Sequence, residues 1–524
     1  MARRVLYITD DMQRWDTIGA WNGPHAQYAQ TPVIDSLARD GIQYWRAYNQ
    51  NPLCMPSRST MLTGQYTRTH GSWNNGIALS HESPSVAAHL KENTSMRTAL
   101  IGKPHFEPFS SPHSMESALG MTHTYGPVRG FDYMIVAGHD TVPMASHYVK
   151  WLQEHYPEYV DSYYDLLIMP TEPGEHSRMN VHGGGDTDAL FVKQNPIPRE
   201  MYHTDWVADH TTRWIDSMDT EDDWFCWMSF PDPHHPYDPP ASENHRIDWR
   251  DIDVDELYGT SEAERVGWLD QKPAHWKWWW NGEKFVSFEA LEGHSYQKEL
   301  DNPDKVREIN AKIHISNALI DEAIGRVMAH LDAKGWLEDT DIIFTPDHGG
   351  MDGDNGLLLI GPAMIDSITR CTTLWKPAAS RNVPAADVHS PVGIMDIPAT
   401  ILDIAGVDLP DWMEGRPLPK DEAEASEQGR DHVFTQYESY TPDCDIRMNT
   451  VFKDGWTCTV YDRTRTYDGT EGELYHTAED PRQRTNFWDD PAQKDRIEEM
   501  SALIYDELLN RPLLHPVGEP GALI

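Results

Sequence analysis

Cysteine is scarce in this chain: Cys54, Cys226, Cys371, Cys444 and Cys458 are the only five in 524 residues. An odd, sparse set with no Cys-x-x-Cys spacing argues against a disulfide framework and against a thiolate metal site, so a reducing, cytoplasmic setting is expected. Positive charge is scarce as well, with 43 Lys and Arg against 84 Asp and Glu and a formal net charge of −41. That field repels nucleic acid and anionic membranes, and neither is an expected partner. An anionic substrate would need a locally positive pocket. Long apolar runs are missing too, and nothing approaches the length of a membrane span. In "MARRVLYITDD" an acidic pair arrives before a secretory apolar region is complete, so no leader is expected. Internal repeats and low-complexity tracts are absent.

What remains is a globular composition, 39% hydrophobic and 24% charged, with 20 Trp and 22 Tyr. The length suits one large α/β domain with an appendage. "RVLYIT" reads as a β-strand that ends at once in Asp10 and Asp11. "TPVIDSLARDGI" has the Pro-led pattern of a helix closed by Gly41. "CMPSRSTMLTG" reads as a loop entering a helix near Pro56, which places Cys54 at the positive end of that helix. "DWFCWMSF" is a buried strand running into the Pro-rich loop "PDPHHPYDPP". "AKIHISNALIDEAIGRVMAHLDAKGW" has helical spacing with Gly335 as a stop. "DIIFTPDHGG" is another strand, and it ends in Asp347 and His348. Strands alternate with helices and polar side chains gather at strand exits, the pattern of a mostly parallel, layered α/β sheet. A smaller carboxy-terminal α+β subdomain is expected over 416–524, after a main domain over 1–415 that carries an insertion around 240–300.

Asp10, Asp11, Asp347 and His348 all follow strands, where side chains distant in sequence converge. Three carboxylates with one imidazole suit a hard or borderline divalent cation. The run "CMPSR" also resembles the Cys-x-Pro-x-Arg element of the type I sulfatases, in which the cysteine is oxidised to formylglycine. The resemblance continues in order through "ITDD", "TPVIDSLARDGI", "IGKPHF", "DPHHPYDPP", "TPDHG", "DIPATILDIAG", "EGRPL" and "GELYHTAEDP", from residue 5 to about 490.

The resemblance implies the alkaline-phosphatase-like fold and hydrolysis of sulfate esters, with phosphonate monoester hydrolases and phosphodiesterases as close relatives. It implies that Cys54, converted by a formylglycine-generating enzyme, supplies the nucleophile and forms a covalent sulfo-enzyme intermediate. The ligands of one divalent cation, Ca²⁺ or Mn²⁺, would be Asp10, Asp11, residue 54, Asp347 and His348. Many sulfatases have Asn where His348 stands, whereas His resembles choline sulfatases and phosphonate hydrolases. Arg58 would orient the nucleophile, Lys103 and His105 would contact the sulfuryl oxygens, and His234, with His235 as an alternative, would protonate the leaving group. Asn74 or Asn75 in "SWNNG" would line the substrate pocket.

One departure stands out. Sulfatases place a lysine soon after the Asp-His-Gly element, but this chain has none from Gly349 until Lys376. The reading is an arylsulfatase-like enzyme acting on small-molecule esters, with side activity on phosphonate monoesters and phosphodiesters. The alternatives are a phosphonate monoester hydrolase as main activity, or an inactive binding relative. "HWKWWW", with four Trp in positions 276–280, reads as a lid or subunit contact ahead of a sugar-stacking platform, and hence a homo-oligomer is expected.

Overall fold

The computed structural model describes residues 2–516, apart from position 24 and residues 109–113, 139–145, 161–166, 169–177, 180–183 and 291. At its centre is β1 (Arg4–Asp10), buried along its whole length. Its apolar run divides between two layers. Val5 and Tyr7 pack on one side with Ile397, Ile401 and Leu402; Leu6 and Ile8 pack on the other with Ile320, Ile324 and Val327. A strand covered on both faces needs a continuous apolar run rather than an alternating one, as "VLYI" supplies.

The remaining strands of this sheet are β2 (Ile42–Tyr44), β3 (Arg97–Gly102), β4 (Tyr133–Val136), β5 (Trp224–Ser229), β6 (Thr340–Pro346), β7 (Thr373–Lys376) and β8 (Ala386–Val388). They lie in the order β8-β2-β7-β6-β1-β5-β3-β4. Only β7 runs against its neighbours; the other pairs are parallel. Helices cover both faces. α1 (Pro32–Asp40), α3 (His203–Asp216) and α5 (Pro303–Ala333) lie on one side, and α2 (Cys54–Thr63) and α6 (Asp396–Ala405) on the other. Gly41 ends α1 as expected. α5 is longer at its start than the apolar spacing suggested, because Asn302 caps it and Pro303 takes its first position.

A second sheet follows, an antiparallel meander of β9 (His432–Tyr440), β10 (Asp445–Lys453), β11 (Trp456–Tyr461) and β12 (Gly472–His476). The smaller carboxy-terminal α+β unit is thus present, and its apolar cluster around Phe434, Val451, Leu474 and Ile504 also takes in Tyr66 and Met395 of the main domain.

The Trp-rich segment departs from expectation. It forms α4 (Ala274–Asn281), and Trp276, Trp279 and Trp280 are 0%, 2% and 3% exposed. Trp276 Nε1 donates to Glu473 on β12 at 3.3 Å, and the preceding His275 meets Tyr467 and the carbonyl of Pro362. Trp276 thus fastens the insertion to the second sheet inside one protomer, while Trp279 lies beside Gly361 and Trp280 beside Gly356. Three of the four rings therefore offer no face to a subunit or a sugar.

Candidate active site

Because β1, β3, β5 and β6 run parallel and adjacent, their C-terminal ends open on one rim, the position at which open α/β sheets bind ligands. Backbone bonds lock the exits together. Asp347 N donates to Asp10 O, Asp11 N to Asp232 O, and Lys103 N to Ser229 O. Gly102 permits the last of these. It has φ +115°, and a Cβ there would lie 1.7 Å from Ser229 O.

Cys54 is brought to this rim by α2. Leu53 is extended and its N–H donates to Asn51 Oδ1, so the helix begins at Cys54 itself rather than near Pro56. Pro56 falls within the first turn, where its missing N–H leaves no gap in the helix ladder. Every residue of α2 is buried. Ser57 Oγ donates to Asp347 O at 2.7 Å, which ties the helix to the end of β6.

The donor atoms of Asp11, Cys54, Asp347 and His348 lie within 4.8 Å of one another, and all four residues are buried. His348 Nδ1 lies 2.8 Å from Gly349 O, an acceptor, so the ring proton sits on Nδ1. Nε2 lies 3.0 Å from the Cys54 sulfur. Arg58, 0% exposed, spans the cluster. Its Nε donates to Asp347 Oδ2 at 2.7 Å and its Nη2 to Asp11 Oδ2 at 3.2 Å, while Nη1 reaches Lys103 O and Ser229 Oγ, both at 2.8 Å. Lys103 Nζ is 2.5 Å from Asp11 Oδ2.

These residues fit a cation. Asp10 is 0% exposed, and neither of its carboxylate oxygens has a hydrogen-bond partner among the described residues. Burial, with Asp347 and Asp11 close by, pushes its carboxyl well above the usual range. The buried carboxylates of Asp11 and Asp347 face two cations, Arg58 and Lys103, and a divalent ion would add charge to this cluster; Asp10 is buried next to Asp11 in the chain but is not one of the four residues whose donor atoms converge. Asp11 behaves oppositely. Burial opposes its charge, but Lys103, His234 and Arg58 more than offset that and hold it well below the carboxylate range. The Cys54 thiol is raised by burial and by Asp11, so as a thiol it is a poor nucleophile.

The other expected residues divide. His105 is buried beside Lys103, and burial, then Lys103, keeps its imidazole neutral. His234 is also buried, stacked on His235 at 4.0 Å, with Nδ1 2.5 Å from His235 O; its ring is near enough to act on Asp11. Asn75 is tied up at both ends: Oδ1 accepts from Met55 N at 3.0 Å and Nδ2 donates to Glu289 Oε1 at 2.7 Å. Asn74 Nδ2 donates to Glu438 O on β9.

Three participants have no motif of their own. Ser229 ends β5 and accepts from Arg58 while donating to Lys103 O; its place at a strand exit was the available signal. Glu289 comes from the insertion. Arg14 donates to the carbonyls of Gly350 and Met351, bracing the loop after His348, and is itself held by Asp16, which also accepts from Arg482.

Comparison with known proteins agrees with this architecture. The sulfatase family model matches residues 3–407, and the model "N-sulphoglucosamine sulphohydrolase, C-terminal" matches residues 379–509. An arylsulfatase of Clostridium perfringens is 24% identical over 98% of this chain and 95% of its own length. A choline-sulfatase of Rhizobium meliloti is 24% identical over 76% of this chain and 67% of its own. Among solved structures, a phosphonate monoester hydrolase of Silicibacter pomeroyi superposes with a TM-score of 0.75 at 21% identity, covering 98% of this chain and 96% of that one. With a family model spanning most of its length and the matching fold around a buried Asp, Cys, Asp, His cluster, the chain belongs to the sulfatase family of sulfuric ester hydrolases, within the alkaline phosphatase superfamily.

Proposed function

We propose that the protein hydrolyses aryl sulfate monoesters through a formylglycine made from Cys54, with side activity on phosphonate monoesters and phosphodiesters. The observation that carries this reading is Cys54 at the head of a buried helix, within the acid and imidazole cluster and braced by Arg58 and Lys103. Conversion requires a formylglycine-generating enzyme as a partner, acting before the helix is buried.

Asp10, Asp11, Asp347 and His348 would hold one Ca²⁺ or Mn²⁺, His348 favouring Mn²⁺. The bound ion would act as a Lewis acid and lower the pKa of the nucleophilic hydroxyl. Formylglycine at residue 54, as its hydrate, would supply the oxygen nucleophile towards sulfur, with the S–O bond to the leaving group breaking on the far side. Lys103 and His105 face the sulfuryl oxygens and stabilise the charge that develops there. His234 donates a proton to the departing oxygen. Loss of the proton of the second hydroxyl to water would cleave the C–O bond to the sulfate, release it and restore the aldehyde. With no lysine between Gly349 and Lys376, good leaving groups such as phenols are favoured.

A phosphonate monoester hydrolase is the second reading, favoured by His348 in place of Asn. Either ester carries one negative charge, so one pocket can accept both. Turnover of 4-nitrophenyl sulfate is the test, measured on preparations with graded conversion of residue 54, read by peptide mass spectrometry. Rate should rise in proportion to the converted fraction. Equal rates from unconverted protein would remove formylglycine from the account.

A further inference from the structure

Glu289 is a buried carboxylate with no ion-pair partner among the described residues. It sits on a single turn, Phe288–Ala290, in the segment between β5 and α5, and is 4% exposed. Among the described residues it forms no ion pair, and its side chain accepts one hydrogen bond, from Asn75 Nδ2 at 2.7 Å. Buried carboxylates are ordinarily paired, because burial penalises the charge. The turn is held from behind by the second sheet. Tyr437 OH donates to Ser287 Oγ at 2.8 Å, and Ser439 Oγ to Val286 O at 3.2 Å. In front, Asn75 bonds Met55 N, the residue after Cys54. Burial raises the Glu289 carboxyl, the Asn75 bond, His348 and Lys103 oppose that rise, and Glu289 in turn acts on Cys54. Glu289 therefore borders the reaction site.

Holding Asn75 does not by itself call for a carboxyl group, since a glutamine oxygen would accept the same bond. Nor can the carboxylate serve the sulfuryl group, whose anionic oxygens it would repel. It must act on the other half of the substrate. The missing lysine after Asp347-His348-Gly349 makes the contrast sharper: this site has one cation fewer than the expected pattern.

We propose that Glu289 is a specificity-determining residue that receives an ammonium group on the leaving-group side of the ester. The enzyme then prefers esters bearing a protonated amine on the leaving group over neutral ones, and neutral over anionic ones. This inference rests on the ester-hydrolase reading of the site.

The test compares kcat/KM for three phenyl sulfates with matched leaving groups, carrying a para 2-aminoethyl, ethyl or 2-carboxyethyl substituent. Glu289→Gln keeps the bond to Asn75 and removes the charge. It should shrink the ammonium-to-carboxylate ratio by about tenfold and change the neutral substrate by less than about threefold. Glu289→Asp should keep the order. Equal rates on all three substrates in the unsubstituted enzyme, or an equal loss on all three in Glu289→Gln, would overturn the proposal and leave the sulfatase reading standing. If only phosphonate esters of the same phenols turn over, the sulfatase reading fails and their charge ratios decide the role of Glu289. Calorimetric binding of the three sulfates to Cys54→Ala protein, with and without Glu289→Gln, gives the same ratio without turnover.

Discussion

Replacing Arg58 by methionine removes the charge that bridges Asp347 and Asp11 while keeping a side chain of similar length. The guanidinium lies 2.7 Å from one carboxylate and 3.2 Å from the other, and all three groups are 0% exposed. Burial works against the arginine charge, and Asp347 and Asp11 outweigh it. At an effective dielectric of about 20, a unit pair at about 4 Å is worth roughly 4 kcal/mol. Breaking a buried pair from one side costs about 3–5 kcal/mol, because the partner charge is stranded. With unfolding entropy of about 2.1 cal/mol/K per residue, a chain of 524 residues should lose about 3–5 °C in Tm. Scanning calorimetry of the unconverted, cation-free protein is the assay, so the role of Arg58 in the modification motif does not intervene. Arg58→Met combined with Asp347→Asn should recover part of the loss, with a coupling of about 2 kcal/mol. A drop under about 1 °C, or strictly additive losses, would refute Arg58 as the electrostatic keystone of the cluster.

Further outcomes follow from the same geometry. Cys54→Ala should abolish turnover while leaving the far-UV spectrum intact, and retained activity would displace residue 54 as nucleophile. Lys103→Ala removes the partner of Asp11 at 2.5 Å and should lower kcat by about 10²- to 10³-fold, read by steady-state kinetics. His234→Ala should cost far more on alkyl than on 4-nitrophenyl sulfates, since about 10²- to 10⁴-fold is available from general acid catalysis only where the leaving group needs a proton; equal losses would assign His234 elsewhere. His70 is buried, with Nδ1 accepting from Ser72 N, and burial pulls its pKa from 6.5 down to about 3. A histidine depressed in this way contributes stability that is complete above its unfolded pKa and is lost as pH falls towards the folded value. At pH 5 the loss is about 2 kcal/mol, so His70→Asn should flatten the pH dependence of Tm between pH 6.5 and 4.

The parts of the site that could be read from sequence are those that a strand exit or a short motif announces. "ITDD", "GKPHF" and "TPDHGG" each place a polar pair directly after an apolar run, and a parallel sheet then gathers them without further instruction. "CMPSR" was legible through its resemblance to the Cys-x-Pro-x-Arg element, and the structure sets Cys54, Pro56 and Arg58 within one helical turn and a half. Contacts made across the chain carry no such mark. Asn75 and Glu289 are 214 positions apart, and Asp16 and Arg482 are 466 apart. Glu289 is a single acid in an irregular insertion, and Arg482 is a single base beyond the last strand. The tryptophans at 276–280 misled for a related reason. Periodicity shows that a segment is apolar but not whether its cover comes from the same chain, and here β12 and Tyr467 supply it.

The most direct measurement compares kcat/KM for matched 4-nitrophenyl sulfate and 4-nitrophenyl phenylphosphonate on cation-loaded protein whose residue 54 is shown by peptide mass spectrometry to be converted. A higher value for the sulfate is predicted, with the phosphonate turned over more slowly at the same site and both lost in Cys54→Ala. A clear excess for the phosphonate, or no hydrolysis of the sulfate by fully converted protein, would contradict the account.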